Sequence, residues 1–155
     1  MKNNPILLVE DNPHEEALTI RALKRGGIVN EIVVARDGAE ALERLFPHIS
    51  GTPRVDKGFA LILLDLKIPK LDGLEVLARI RAEPSLAPVP VVILTSSSQE
   101  ADLVEGYKLG ANSYIRKPVD FDRFSEAVRQ LGLYWLVLNE TPAPPAAAAG
   151  YEATG

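Results

Sequence analysis

The chain has 155 residues, 46% of them apolar, which suits one domain with a substantial core. Its 17 Lys plus Arg against 21 Asp plus Glu leave a net charge of -4, and that mild acidity argues against a nucleic-acid binder, which carries a basic stripe. No cysteine is present, so disulfides and thiolate metal sites are excluded.

The amino terminus reads Lys2-Asn3-Asn4-Pro5 before a short apolar run. It lacks the long apolar stretch and small-residue cleavage site of a secretion signal. No stretch approaches a membrane span of ~20 apolar residues. The expectation is a soluble, cytoplasmic protein with no membrane and no nucleic acid among its partners.

Five short apolar runs follow in chain order, at residues 6–9, 32–35, 60–64, 91–94 and 113–115. The first four are Val, Ile and Leu with little polar alternation, as in strands buried on both faces of a parallel sheet. Helical spacing fills the intervals. Ala17, Ile20, Ala22 and Leu23 precede Gly26-Gly27, a helix stop. Ala39, Leu42, Leu45 and Phe46 follow Asp37, a suitable N-cap. Leu74, Leu77 and Ile80 follow Asp72, with Glu75 three residues on, as in a capping box. Leu103, Tyr107 and Leu109 precede Gly110, and Phe121, Phe124, Val128 and Leu131 mark a last helix.

Strand and helix thus alternate five times, and right-handed crossovers place helices on both faces of one sheet. The predicted class is α/β: a doubly wound, five-stranded parallel sheet of order 2-1-3-4-5 with five helices, flavodoxin-like. The connection over residues 47–58, with Gly51 and Pro53, is longer than such units need. The predicted domain covers residues 1–139. Residues 140–155, rich in Pro and Ala, bury almost nothing and are expected to be disordered. Tyr134, Trp135 and Leu138 are apolar enough to extend the last helix into a homodimer contact, or to fold back on their own domain.

In a doubly wound sheet, ligands bind beyond the carboxyl ends of the strands. Glu10-Asp11 follows the first strand, Asp65 the third, Thr95 the fourth and Lys117-Pro118 the fifth. Three carboxylates brought together repel unless a positive charge intervenes. Magnesium suits such a set, because it takes hard oxygen ligands and keeps sites for water and phosphate. Asp11 and Asp65 are the expected direct ligands, and Glu10 ligates or holds a metal-bound water. Lys117 adds a point charge, and Thr95 a hydroxyl for a phosphoryl oxygen. These are the parts needed to form and hold an acyl phosphate.

The ordered strings Leu8-Val9-Glu10-Asp11-Asn12, Leu63-Leu64-Asp65-Leu66 with Pro69 and Asp72-Gly73, Leu94-Thr95-Ser96, and Tyr114-Ile115-Arg116-Lys117-Pro118 resemble the receiver domain of two-component response regulators. The resemblance covers about residues 5–131. It implies that Asp65 accepts phosphate from a phosphohistidine of a sensor histidine kinase. It implies magnesium held by Glu10, Asp11, Asp65 and the backbone carbonyl of Lys67. It also implies a switch, in which Thr95 turns toward the phosphate, Tyr114 rotates inward behind it, and the face of fourth helix, fifth strand and fifth helix repacks. A cis Lys117-Pro118 bond belongs to the same pattern. Asn12-Pro13, the long connection before the third strand, Ser96-Ser97-Ser98 and Tyr134-Trp135 look like the small regulators that partner phytochrome-type histidine kinases. With no output domain expected after residue 131, the output is a protein contact, onward phosphotransfer or a phosphate sink.

Other readings fit less well. An aspartyl-phosphate phosphatase, the true-enzyme alternative, resembles Asp-x-Asp at its nucleophile, but the second position here is Lys67. A non-phosphorylated pseudo-receiver would need a broken acidic set. A flavodoxin-like flavin binder needs a phosphate loop after a different strand. Lys67 either tunes phosphate lifetime or lies on the surface. Asp72 is expected to cap a helix, Ser97 or Ser98 to cap the next, Tyr114 to pack in the core, and His14 and His48 to be exposed.

Overall fold

The computed structural model describes residues 4–46, 58–68, 72–95 and 100–131. Most of the long connection before the third strand, Ser96 to Ser98, Pro69, His48, the contact expected from Tyr134, Trp135 and Leu138, and the 139/140 boundary lie outside them.

The strands are β1 (Ile6–Val9), β2 (Ile32–Ala35), β3 (Leu61–Asp65), β4 (Val91–Thr95) and β5 (Ser113–Arg116). The helices are α1 (Pro13–Arg25), α2 (Gly38–Leu45), α3 (Gly73–Ala82), α4 (Glu100–Lys108) and α5 (Phe121–Gln130). All pairings are parallel, in the order β2-β1-β3-β4-β5 predicted from the alternation.

Successive side chains on a strand point to opposite faces, and the core divides accordingly. Leu7, Val9, Ile62, Leu64, Val91 and Ile93 face one way, against Ala41, Leu42 and Leu45 of α2 and Val76, Leu77 and Ile80 of α3. Ile6, Leu8, Leu61, Leu63, Val92 and Leu94 face the other, against Leu23 of α1 and Phe124, Ala127 and Val128 of α5. Both faces are dry, so β1, β3 and β4 are continuous apolar runs. The same expectation fails for β2. Three of its four residues are only part-buried, because it is an edge strand with one neighbour.

The helix caps largely match their residues. Asp37 accepts the Glu40 N–H at 2.7 Å, and Asp72 accepts the Glu75 N–H at 3.0 Å. The capping box at α3 is one-sided, however, since the Glu75 carboxylate meets Arg79 at 3.3 Å. Helix α1 stops where Gly26 donates back to Ala22 and Leu23 and Gly27 takes φ +91°, a left-handed conformation suited to glycine. Its buried residues are Thr19 and Leu23, while Ala17 is exposed.

Gly73 ties this framework to the strand ends. A Cβ there would lie 2.5 Å from the Asp65 carbonyl oxygen and 2.6 Å from Leu66 Cα. Both are backbone atoms with nowhere to go. We expect Gly73→Ala to lower the unfolding free energy by about 2 kcal/mol, read by urea denaturation, because α3 must back away from β3. An unchanged midpoint would show that this close approach carries no cost.

Candidate functional site

Parallel register aligns the carboxyl ends of the strands. Asp65 pairs with Leu94, and Thr95 with Arg116. Glu10 follows β1 directly, with its N–H on the Ala35 carbonyl at 2.9 Å. Lys117 follows β5, with its N–H on the Thr95 carbonyl at 2.9 Å. Asp65 and Thr95 end their strands and Glu10 and Lys117 stand one residue past theirs, which delivers these side chains to a common edge.

One oxygen from each of Glu10, Asp11 and Asp65 lies within 4.8 Å of the other two. Glu10 and Asp65 are buried and Asp11 is exposed, so the cluster opens to solvent on one side. Asp65 Oδ1 accepts the Lys67 N–H at 3.0 Å, and Oδ2 accepts from Lys117 Nζ at 2.7 Å. The same ammonium lies 2.7 Å from Glu10 Oε1 and 2.7 Å from Glu15 Oε1. The Lys117-Pro118 peptide is cis, as the sequence pattern implied.

The electrostatics follow from that crowding. Burial pushes the Glu10 carboxyl up; Lys117 pulls it down, the Asp65 charge pushes it up again, and it settles at about 7. Burial alone would depress Lys117, but Asp65, Glu10 and Glu15 outweigh it and hold the ammonium above the ordinary lysine value. The set therefore keeps its cation and strains to keep all its anions, which suits a divalent metal ion.

Sequence reasoning brought together Glu10, Asp11, Asp65, Thr95 and Lys117, and all five sit at this edge. Thr95 ends β4 and is buried. Lys67 has an exposed side chain, and His14 is exposed, as expected. Tyr114 departs from the expectation of core packing. It is 39% exposed, because β5 is an edge strand, and it stands edge-on to Tyr107 with ring centroids 6.0 Å apart. A groove of about 660 Å³ beside it is lined by Tyr107, Tyr114, Arg116, Lys117, Arg123 and Glu126 among others. Sequence reasoning missed Glu15 altogether. It also missed Asn12, whose side chain caps α1 by accepting the His14 and Glu15 N–H groups at 2.9 and 3.0 Å. The Asn12-Pro13 pair, an N-cap residue followed by proline at the first helical position, was the available signal.

The family model for response regulator receiver domains matches residues 6–129. The chain belongs to the response regulator receiver family. Among curated relatives, this receiver is 40% identical over 139 residues to the probable methanogenesis regulatory protein FilR2 of Methanothrix harundinacea, covering 90% of this chain and 88% of FilR2. It is 38% identical over 147 residues to response regulator Rcp1 of Synechocystis, covering 92% and 97%. Among solved structures, the bacteriophytochrome response regulator AtBRR shares 48% identity at a TM-score of 0.76, covering 90% of this chain and 100% of that one. The Mn(2+)-bound form of Rcp1 shares 37% at a TM-score of 0.69, covering 90% and 99%. Among the described residues of the receiver, no helix is long and apolar enough to cross a membrane.

Proposed function

We propose that this receiver takes a phosphoryl group from a phosphohistidine of a sensor histidine kinase, of phytochrome type, onto Asp65, and that it works as a switch rather than a turnover enzyme. The observation that carries this reading is Lys117 Nζ, 2.7 Å from Asp65 Oδ2 at the rim of a three-carboxylate cluster. An Asp65 oxygen forms the new P–O bond. The donor's P–N bond breaks, and the imidazole leaves with the electron pair and takes up a proton. Lys117 meets the negative charge of the phosphoryl oxygens as they arrive, and the Thr95 hydroxyl donates to one of them. The likeness to the bacteriophytochrome response regulator AtBRR supports the phytochrome-type donor.

Glu10, Asp11, Asp65 and the Lys67 backbone carbonyl would hold magnesium. Three hard carboxylate oxygens within 4.8 Å fit such an ion, and the Mn(2+)-bound form of Rcp1 supports a divalent cation here. When bound, magnesium supplies the charge that lets an anionic carboxylate approach an anionic donor. The switch runs through Thr95 and Tyr114. Inward rotation of Tyr114 would give up its contact with Tyr107 and reshape the groove along α4, β5 and α5.

The test is incubation with acetyl phosphate and magnesium, followed by intact mass. The expected result is a gain of one phosphoryl group, lost in hydroxylamine as an acyl phosphate is. No gain would sink the reading.

A pH dependence follows from Glu10. Without metal the folded chain keeps the Glu10 proton up to about pH 7, whereas the unfolded chain loses it near 4.5. Between those values the folded state binds more protons, so this group's contribution to stability falls as pH rises. Metal binding needs the ionised form and expels the proton. Magnesium affinity should therefore be about tenfold weaker at pH 6 than at pH 8, with close to one proton released at the lower pH. Calorimetry in two buffers of different ionisation enthalpy measures both, and a flat affinity across that range would contradict it.

A further inference from the structure

Glu15 is the third helical residue of α1, behind the Asn12 cap. A glutamate at that position commonly reaches back to the cap's own N–H, closing a capping box. Here Glu10 Oε2 takes that N–H, at 3.2 Å. Glu15 reaches instead across to Lys117, with Oε1 2.7 Å from Nζ. Lys117 is thus surrounded by three carboxylates, and an ammonium has three protons to offer.

The three partners are not equivalent. The Asp65 contact is an aligned hydrogen bond. Glu10 Oε1 and Glu15 Oε1 have no aligned hydrogen bond, so the ion pair with Lys117 is what offsets their burial. Glu10 is fixed, with a side chain 1% exposed. The Glu15 side chain is 38% exposed. Beside it lies a hollow of about 200 Å³ lined by Glu15, Leu18, Thr19, Lys117, Pro118 and Val119, which leaves the carboxylate room to turn away.

We propose that Glu15 is an anionic place-holder: its carboxylate pairs with the Lys117 ammonium that an incoming phosphoryl oxygen must engage, and so restrains phosphorylation of this receiver. Glu15 is a positioning residue acting through Lys117, not a catalytic one. Glu10 and Asp65 each still hold the ammonium at 2.7 Å, so removing Glu15 takes one competing anion from the lysine without losing the lysine. The inference rests on Asp65 accepting the phosphoryl group. In the labelling step an Asp65 oxygen bonds to phosphorus, the P–O bond of acetyl phosphate breaks, and acetate leaves with the electron pair.

The test compares the parent chain with Glu15→Gln and Glu15→Ala, all full length and with magnesium. Both variants should label with acetyl phosphate about threefold faster, the size of a half-exposed ion pair. Both should bind beryllofluoride, a phosphoryl mimic, more tightly by a similar factor, and added potassium chloride should narrow the gap. A purely structural role, such as helix capping, would shift the melting temperature and leave beryllofluoride affinity and its salt dependence alone. If the parent labels at Asp65 and the variants label at the same or a slower rate, the inference is overturned while the phosphoacceptor reading stands. If the parent does not label, both fall together.

Discussion

Asp65→Asn leaves the receiver unlabelled: acetyl phosphate and magnesium add one phosphoryl mass to the parent chain and none to the variant. The substitution keeps size and shape, so the fold is preserved, although the amide oxygen can accept from only one of the Lys67 N–H and Lys117, the NH2 group facing the other. What is lost is the nucleophilic oxygen pair and one of the three charges of the cluster. Loss of a nucleophile typically costs a thousandfold or more, so the labelling rate should fall by at least about that factor. Intact mass resolved over time checks it. Equal labelling of the variant would place the acceptor elsewhere. The chemistry of the label then separates an acyl phosphate from the acid-stable ester that a hydroxyl such as Thr95 would form.

Lys117→Met has the second largest effect, and it acts on stability as well as on labelling. It removes the cation lying 2.7 Å from Glu10, Glu15 and Asp65, two of which are buried. Stranding buried carboxylates without their partner costs about 3 kcal/mol. That cost depends on pH. The pKa of Lys117 is raised above its unfolded value of 10.5, so its stabilisation is fully present at both pH 6 and pH 8 in the parent chain. In the variant, Glu10 loses the group that pulled its pKa down, so it titrates above the parent's value of about 7. The folded variant therefore binds a proton that the unfolded chain releases, and its stability falls as pH rises. Urea denaturation should show the full cost at pH 8 and a clearly smaller one at pH 6. Equal costs at both would mean that the carboxylates do not depend on Lys117. Labelling by acetyl phosphate should drop by about a hundredfold, because the charge that meets the phosphoryl oxygens is gone.

Much of this site was legible before any coordinates, and for a definite reason. Each of Glu10, Asp65, Thr95 and Lys117 stands at or just beyond the end of an apolar run, and parallel strands in register deliver their ends to one edge whatever the details of packing. The dry runs of β1, β3 and β4 were legible because burial on both faces leaves only one composition. The half-buried β2 was not, since its edge position depends on which strands it fails to pair with. Tyr114 was misplaced for the same reason: an aromatic in a strand suggests a core, but β5 is an edge and the ring lies outward against Tyr107. Glu15 was illegible because its role turns on a competition. Only the geometry shows that Glu10 takes the Asn12 N–H and leaves the α1 glutamate to reach Lys117.

The amino-acid sequence by itself therefore determined the α/β alternation, the strand order and the set of side chains at the carboxyl edge, because hydrophobic periodicity and crossover handedness act locally and leave few alternatives. Tertiary structure alone decided how those side chains share one lysine, which carboxyl is pushed toward neutrality and which tyrosine faces water. Those outcomes depend on distances between residues far apart in the chain, such as the 2.7 Å between Lys117 and Asp65, and on burial, which no single segment possesses until the others have packed around it.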